Sequence, residues 1–369
     1  MGPLHGLKVL EMEAIGPVPF ATMLLADLGA DVLRVERPGG TDVGLPRERH
    51  LDLTLRNRKI VTLNLKNKEE FEKIWPLVEK ADVLLEGARP GVMERLGLGP
   101  DECLARNPGL VYGRMTGWGQ EGPLAQAAGH DMNYIALAGA LYGIGRAGQP
   151  PTPPLNLVGD YGGGSMYLIF GVLSALYERS ISGKGQVVDA AIVDGTASLM
   201  TVFAGMYKQG LMTYDRGNNI LDSGAHFYDV YQCKDGEWIS LGPIEAKFQK
   251  LMLEALGIEY DNLEMTYDKA NWPALKEKVA ARVAEKTQSE WSAILEGTDC
   301  CYAPVLSLEE AAQHPHNRAR HTFVDVAGVT QPAPAPRFSK RLKKTKRLSA
   351  VGWRGRNRGG ISETGCHGR

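Results

Sequence analysis

Apolar positions along the first third of the chain alternate between two periods. Leu7 to Glu13 alternates as a short strand, and Pro17 to Leu28 repeats as a helix, with proline where its missing N–H costs little. Gly29 ends that helix and Asp31 to Arg37 reads as a second strand, which completes a β-α-β unit. Ile60 to Leu65 predicts a further strand, Lys68 to Glu79 an amphipathic helix and Asp82 to Glu86 a buried strand. A short helix from Gly91 to Leu96 and a strand from Leu110 to Met115 follow. Strands alternating with helices predict a parallel α/β sheet.

The pattern changes between Gly117 and Gly164. Glycine and proline dominate there, around Pro150-Pro151-Thr152-Pro153-Pro154, and the segment reads as long loops of the kind that carry function. Ser165 to Arg179 then predicts a mostly apolar helix, Gln186 to Ala191 a strand, and Ile192 to Gly210 a helix rich in small residues. Tyr228 to Cys233 and Glu237 to Leu241 flank Lys234-Asp235-Gly236, a hairpin signal. Helices are expected at Ala246 to Leu256, Pro273 to Lys286 and Gln288 to Leu295, giving a second, smaller α+β domain. The expected division is a large domain over 1–190, a linker over 191–222, a small domain over 223–314 from which the chain leads back out, and a basic, disordered tail over 346–369.

Composition narrows the class. The net charge of −1 gives no electrostatic footprint for nucleic acid. No run of 18 uncharged apolar residues suggests a membrane span, and no secretory signal is evident. Five cysteines without a Cys-x-x-Cys pair suggest a reduced, cytoplasmic protein with neither disulfide framework nor zinc site. His314 and His316 form a His-x-His beside Pro315, which reads as a surface loop.

A β-α-β start invites a dinucleotide reading, but the turn after the first strand is Ala14-Ile15-Gly16-Pro17-Val18-Pro19 rather than Gly-x-Gly-x-x-Gly. Basic residues offer a different ligand. Arg37, Arg56, Arg58, Lys59 and Lys66 fall after strand ends or in adjacent loops, and Arg89 and Arg95 flank a predicted helix start. Ligands of open α/β sheets bind beyond the carboxyl ends of the strands. Guanidinium forks and helix N-termini suit phosphates. Scattered surface charge is the competing explanation.

His130 and Asp160 are the sharpest chemical candidates. The first lies in Gly129-His130-Asp131-Met132-Asn133-Tyr134, the second in Val158-Gly159-Asp160-Tyr161-Gly162-Gly163-Gly164. An imidazole and a carboxylate on opposite sides of one carbon could take a proton from one face and return it to the other. Imidazole has an ordinary pKa of about 6.5. The carboxyl would need burial to act as an acid. Taken singly, His130 could be a surface polar residue and Asp160 a helix cap. Asp131 is a further carboxylate whose role the pattern leaves open.

The segments GPLHGLKVLE, ADLGADVLRVE, GARPGVMERLGLGP, RMTGWGQEGP, GHDMNY, PPLNLVGDYGGGSM, GKGQVVDAAIVDG and LGPIEAKF resemble the α-methylacyl-CoA racemase branch of the class III (family III) CoA-transferase superfamily. The similarity runs from Gly2 to about Phe338. It implies a large Rossmann-like α/β domain with a parallel sheet, to which 315–345 returns, a smaller domain, and two chains interlocked as a homodimer. It implies an acyl-CoA substrate and no separate cofactor, since CoA enters as part of the thioester. Arg37 would meet the adenosine end. Leu63, Asn64, Leu65 and Lys66, with Gly87, Ala88, Arg89, Pro90 and Gly91, would line the nucleotide, and Arg95 would contact a phosphate. Gly129, Asp131, Met132, Asn133 and Tyr134 would shape the site beside the thioester. His130 and Asp160 would face the α-carbon from opposite sides, and Glu245 of the partner chain would orient His130.

The chemistry then expected is a 1,1-proton transfer through an enolate, interconverting (R)- and (S)-2-methylacyl-CoA. The developing oxyanion needs preorganised N–H donors, for which the glycine-rich turn after Asp160 is a candidate. The rival is CoA transfer with Asp160 as acyl-accepting nucleophile, a chemistry that does not need the imidazole of His130.

Overall fold

The computed structural model describes residues 2–40, 48–260 and 262–339. The expected tail over 346–369 lies outside them. By contacts the described residues form two units, one of those within 2–115, 168–189 and 325–339, the other of those within 116–167 and 190–324. Residues Thr116–Tyr167 thus cluster with the segment that carries the smaller sheet.

The first unit is built on a six-stranded sheet ordered β3-β2-β1-β4-β5-β6. Its strands are β1 (Lys8–Met12), β2 (Asp31–Glu36), β3 (Lys59–Thr62), β4 (Val83–Glu86), β5 (Val111–Thr116) and β6 (Val187–Ala191). The pairs β1/β2, β1/β4, β2/β3 and β4/β5 are parallel, with Val9 opposite both Val32 and Val83. Strand order reverses between β1 and β4, so the crevice at their carboxyl ends is where such a sheet receives a ligand. Helices α1 (Pro17–Asp27), α2 (Lys68–Phe71), α3 (Trp75–Val78), α4 (Val92–Arg95) and α5 (Pro100–Arg106) connect these strands. The helix expected over Lys68 to Glu79 is instead two short α segments joined by a 3₁₀ turn at Glu72–Ile74. Pro76 lacks the N–H that a continuous helix would need. Leu10, Val35, Leu84, Leu98, Leu110 and Tyr112 form the core of this unit.

The second unit contains what the glycine-rich stretch conceals. Helix α6 (Asp131–Leu137) and helix α7 (Ala140–Gly143) lie within it, and Leu157–Ser165 winds as a π-helix that runs into α8 (Met166–Ser182). The helix expected over Ile192 to Gly210 breaks at Met200 into α9 (Ile192–Leu199) and α10 (Thr201–Lys208). The hairpin forms as predicted, with β7 (Asp229–Gln232) antiparallel to β8 (Trp238–Leu241), and β9 (Tyr302–Val305) adds a third strand. Helix α11 (Ala246–Leu256) has its predicted bounds, and α12 (Trp272–Val283) and α13 (Gln288–Leu295) pack with it over a core of Phe227, Ile239, Leu253 and Trp291. Two further helices, α14 (Leu308–Gln313) and α15 (Pro315–Arg320), precede a hairpin of β10 (Phe323–Val326) and β11 (Val329–Pro332). His314 pairs with Glu296 at 3.1 Å and accepts the His316 N–H, so the His-x-His is a capping turn.

Candidate active site

The π-helix holding Asp160 is packed between α6 and α9 in the second unit. Its i→i−5 winding is rare and recurs at functional sites. The packing depends on bare backbone. A Cβ on Gly195 of α9 would overlap the carbonyl of Gly163, and one on Gly163 would overlap the Thr196 hydroxyl. Glycine at both positions lets α9 and the π-helix meet backbone to backbone, closer than any side chain permits.

Asp160 is not the helix cap that its position suggested. It lies inside the π-helix, half-buried, and its Oδ2 accepts from Asn156 Nδ2 at 3.2 Å. Its backbone N–H donates to Asp131 Oδ2 at 2.6 Å. Asp131, the first residue of α6, is buried, and a Cβ on Gly159 would collide with its Oδ2. Burial pushes the Asp160 carboxyl above the ordinary carboxylate range. The charge of Asp131 pushes the same way, while the Asn156 hydrogen bond and the nearby His130 imidazole pull it down. Burial likewise raises Asp131, against the N–H groups of Asp160 and Gly159 that favour its charge.

His130 precedes α6 in an extended conformation and its side chain is exposed. Its own N–H donates to Asn133 Oδ1 at 3.0 Å, which fixes the entry into α6. Behind it, the Tyr134 hydroxyl donates to the Gly129 carbonyl, and the Tyr134 ring meets Trp118 edge-on at 4.7 Å. Met132 stays exposed on the outer face of α6. Three of the residues expected beside a thioester, Gly129, Asn133 and Tyr134, thus hold the turn that carries His130, and Asp131 follows it at the start of α6. The fold brings His130 within electrostatic reach of Asp160.

The N–H groups after Asp160 do not form the open donor set that the glycine run suggested. The Tyr161 N–H bonds the Asn156 carbonyl, and π-helical winding occupies those that follow. Glu245 is the exposed N-cap of α11, and its carboxylate makes no capping bond. Tyr267 and Gln249 donate to the Ile244 carbonyl and hold the turn that presents it. Among the described residues no ion pair joins Glu245 to His130 within one chain.

The predicted nucleotide residues sit in the first unit. Gly87–Gly91 follows β4 at the strand-order reversal, and a Cβ on Gly87 would lie 3.0 Å from Ala14 and Val18. Glu86 accepts the Ala88 N–H at 2.6 Å and pairs with Arg114 at 2.9 Å, which braces this loop. Arg95 folds back so that a Cβ on Gly91 would lie 3.0 Å from its Nη1. Leu63, Leu65 and Ala88 pack in one cluster, while Asn64, Lys66 and Arg89 stay exposed and Pro90 is buried. Arg37 donates to the Gly40 carbonyl at 2.8 Å, its guanidinium otherwise largely exposed. Two members of the basic set drop out as ligand candidates. Arg58 is buried against Glu11, and Arg56 is buried against Asp27, Gln331 and the Pro332 carbonyl. Lys59 pairs with Asp31 at 2.9 Å.

A parallel sheet with an exposed arginine-bearing loop at its reversal point, and a second unit that sets an imidazole near a half-buried carboxyl, are features of an enzyme class that acts on CoA thioesters. The chain belongs to CoA-transferase family III, whose sequence profile matches residues 4–352. It is 43% identical over 352 residues to alpha-methylacyl-CoA racemase of Mus musculus, covering 95% of this chain and 90% of that protein. It is 42% identical to alpha-methylacyl-CoA racemase of Homo sapiens, covering 90% and 86%. A crystal structure of a CAIB/BAIF family protein from Brucella suis superposes with a TM-score of 0.79 at 26% identity, over 92% of this chain and 93% of that one.

Proposed function

We propose that the protein is an isomerase that interconverts (R)- and (S)-2-methylacyl-CoA thioesters by 1,1-proton transfer. The observation that carries the reading is that His130 lies within electrostatic reach of Asp160, a half-buried carboxyl that burial pushes above the ordinary carboxylate range. The relatives named alpha-methylacyl-CoA racemase support it across the length of the chain.

In one direction His130 removes the α-proton and Asp160 delivers its own to the opposite face. In the other direction the roles exchange. The reaction therefore needs one of the two groups protonated and the other not. The enolate oxygen needs donors, and the Asp131 and Met132 N–H groups at the start of α6 follow His130 directly, ahead of the Asn133 and Tyr134 N–H groups that bond the His130 carbonyl. Arg95, Arg89, Lys66 and Arg37 are read as the phosphate and adenosine contacts of CoA, with Leu63, Leu65 and the Gly87–Gly91 loop lining the nucleotide.

The proposal includes a homodimer in which the Glu245 of each chain serves the His130 of the other. Two observations support it. The exposed Glu245 carboxylate makes no capping bond, and Phe170, Tyr177 and Ile181 on α8 are 70–74% exposed, an apolar stripe that a second chain would cover. A cytoplasmic setting is consistent with free thiols at Cys103, Cys233, Cys300 and Cys301. Among the described residues no helix is long and apolar enough to cross a membrane.

The test starts from one enantiomer of a 2-methylacyl-CoA with no acceptor acid present. The expected result is decay to a mixture of both enantiomers on chiral separation. An enantiomer that persists unchanged until a free carboxylic acid is added, with CoA then found on that acid, would show transfer instead.

A further inference from the structure

We propose that Asp131 is the positioning residue for Asp160, clamping its backbone and setting its charge state as a second buried carboxylate. The inference rests on the reading of Asp160 as a proton carrier and adds the residue that makes it one.

Three observations converge on Asp131. Its Oδ2 takes the Asp160 N–H at 2.6 Å, and Gly159 donates to the same carboxylate. Gly159 is obligatory at this contact, since any Cβ would occupy the space of Oδ2. The side chain is 6% exposed and its Oδ1 has no hydrogen-bond partner among the described residues. Among the described residues no ion pair neutralises this carboxylate. The helix start and the π-helix are therefore joined by a negative charge held against backbone N–H groups, one residue from the imidazole and beside the second carboxyl.

The consequence follows from which charges face Asp160. The titratable groups on the elements packed here are His130, Asp131 and Tyr134 at α6, Asp160 and Tyr161 on the π-helix, and Asp194 on α9, whose side chain is exposed. His130 and Asp131 are the two whose charge acts on Asp160, in opposite directions. A charge on one carboxyl that is felt by the other links their two titrations. Asp131 favours the protonated form of Asp160, and His130 favours the ionised form. Their balance lets the carboxyl both give and take a proton.

Asp131→Asn tests this, because the amide oxygen can still accept the N–H of Asp160 while the charge is gone. Below the acid limb of kcat/KM both His130 and Asp160 carry protons and no base remains. Removal of the like charge lowers the Asp160 pKa, so the acid limb moves to lower pH by roughly one unit. The shift is the same for both enantiomers, since forward and reverse reactions use the same two groups. A variant whose activity falls by one factor at every pH, with both limbs unmoved, overturns the proposal. Should Asp131→Asn fail to fold, carboxyl-carbon NMR of the wild-type protein decides. Two-step, mutually dependent titration of the two carboxyls supports the clamp, and independent titration refutes it. Wild-type protein that exchanges no α-proton would sink the racemase reading, while the NMR titration would still judge the coupling.

Discussion

Two regions of this molecule bury charge, and they do it in opposite ways. In the sheet unit the buried carboxylates face guanidinium groups. Glu11 lies between Arg34 and Arg58, Glu36 pairs with Arg34 and Arg49, and Arg114 bridges Glu86 and Glu94. In the second unit Asp229 is matched in the same way, by Arg146 and Lys276, but around α6 and the π-helix Asp131 and the half-buried Asp160 face backbone N–H groups, one amide and each other. Burial alone does not mark a functional group. A buried carboxylate with matched cations is held in one ionisation state and serves the architecture. A buried carboxylate without them is poised to change state.

The comparison breaks most sharply by removing the proton carriers. His130→Ala or Asp160→Asn is expected to cut α-proton exchange by about 10²–10⁴-fold and to leave acyl-CoA binding measurable by calorimetry. Loss of binding in step with exchange would assign these residues to structure. The opposite outcome is expected in the sheet unit. Arg58→Met leaves the buried Glu11 with Arg34 alone and takes the donor from the Pro19 and Thr54 carbonyls; it should cost about 3 kcal/mol of stability, read from denaturant midpoints, with the turnover of the remaining folded enzyme unchanged.

His226 sharpens the point because it is a buried base without a counter-charge. It is fully buried, and burial followed by the charge of Lys276 lowers its pKa to about 4. The unfolded chain protonates this residue near 6.5 and the folded protein only near 4. Stability therefore falls as pH drops between those values, by about 3 kcal/mol for a shift of this size. His226→Phe should flatten the dependence of melting temperature on pH across that window. An unchanged slope would place the acid sensitivity elsewhere. The smallest effect is expected at the nucleotide contacts. Arg95→Ala should raise KM for acyl-CoA by roughly 10-fold, the worth of one charged hydrogen bond, at constant kcat. A fall in kcat with KM unchanged would remove Arg95 from the ground-state contacts.

The alternation of strands and helices was legible in the sequence because each buried strand is an apolar run bounded by turn residues. Helix α11 was legible to the residue, since amphipathic spacing and Gly257 mark its length and end. The site's scaffold was not. Gly117 to Gly164 reads as loop by propensity, yet it holds α6, α7 and most of the π-helix. Those elements are stabilised by backbone approaches that only glycine permits, and the partners at Thr196 and Asp131 are distant in sequence. Asn156 lies four residues before Asp160, a spacing that could have announced its hydrogen bond had the helix been foreseen. Arg56 and Arg58 were misjudged for a related reason. Their partners Glu11, Asp27 and Gln331 come from remote strands and loops, and charge along the chain does not reveal pairing.

The central claim is that the unmatched pair His130 and Asp160 moves a proton rather than an acyl group. Its most direct test is incubation of the protein with a 2-methylacyl-CoA in heavy water, without an acceptor acid, followed by mass spectrometry of the thioester and of the protein after hydroxylamine. The account predicts one deuterium at C2, lost in His130→Ala, and an unmodified Asp160. A thioester that stays free of deuterium, with a hydroxamate on Asp160, would contradict it.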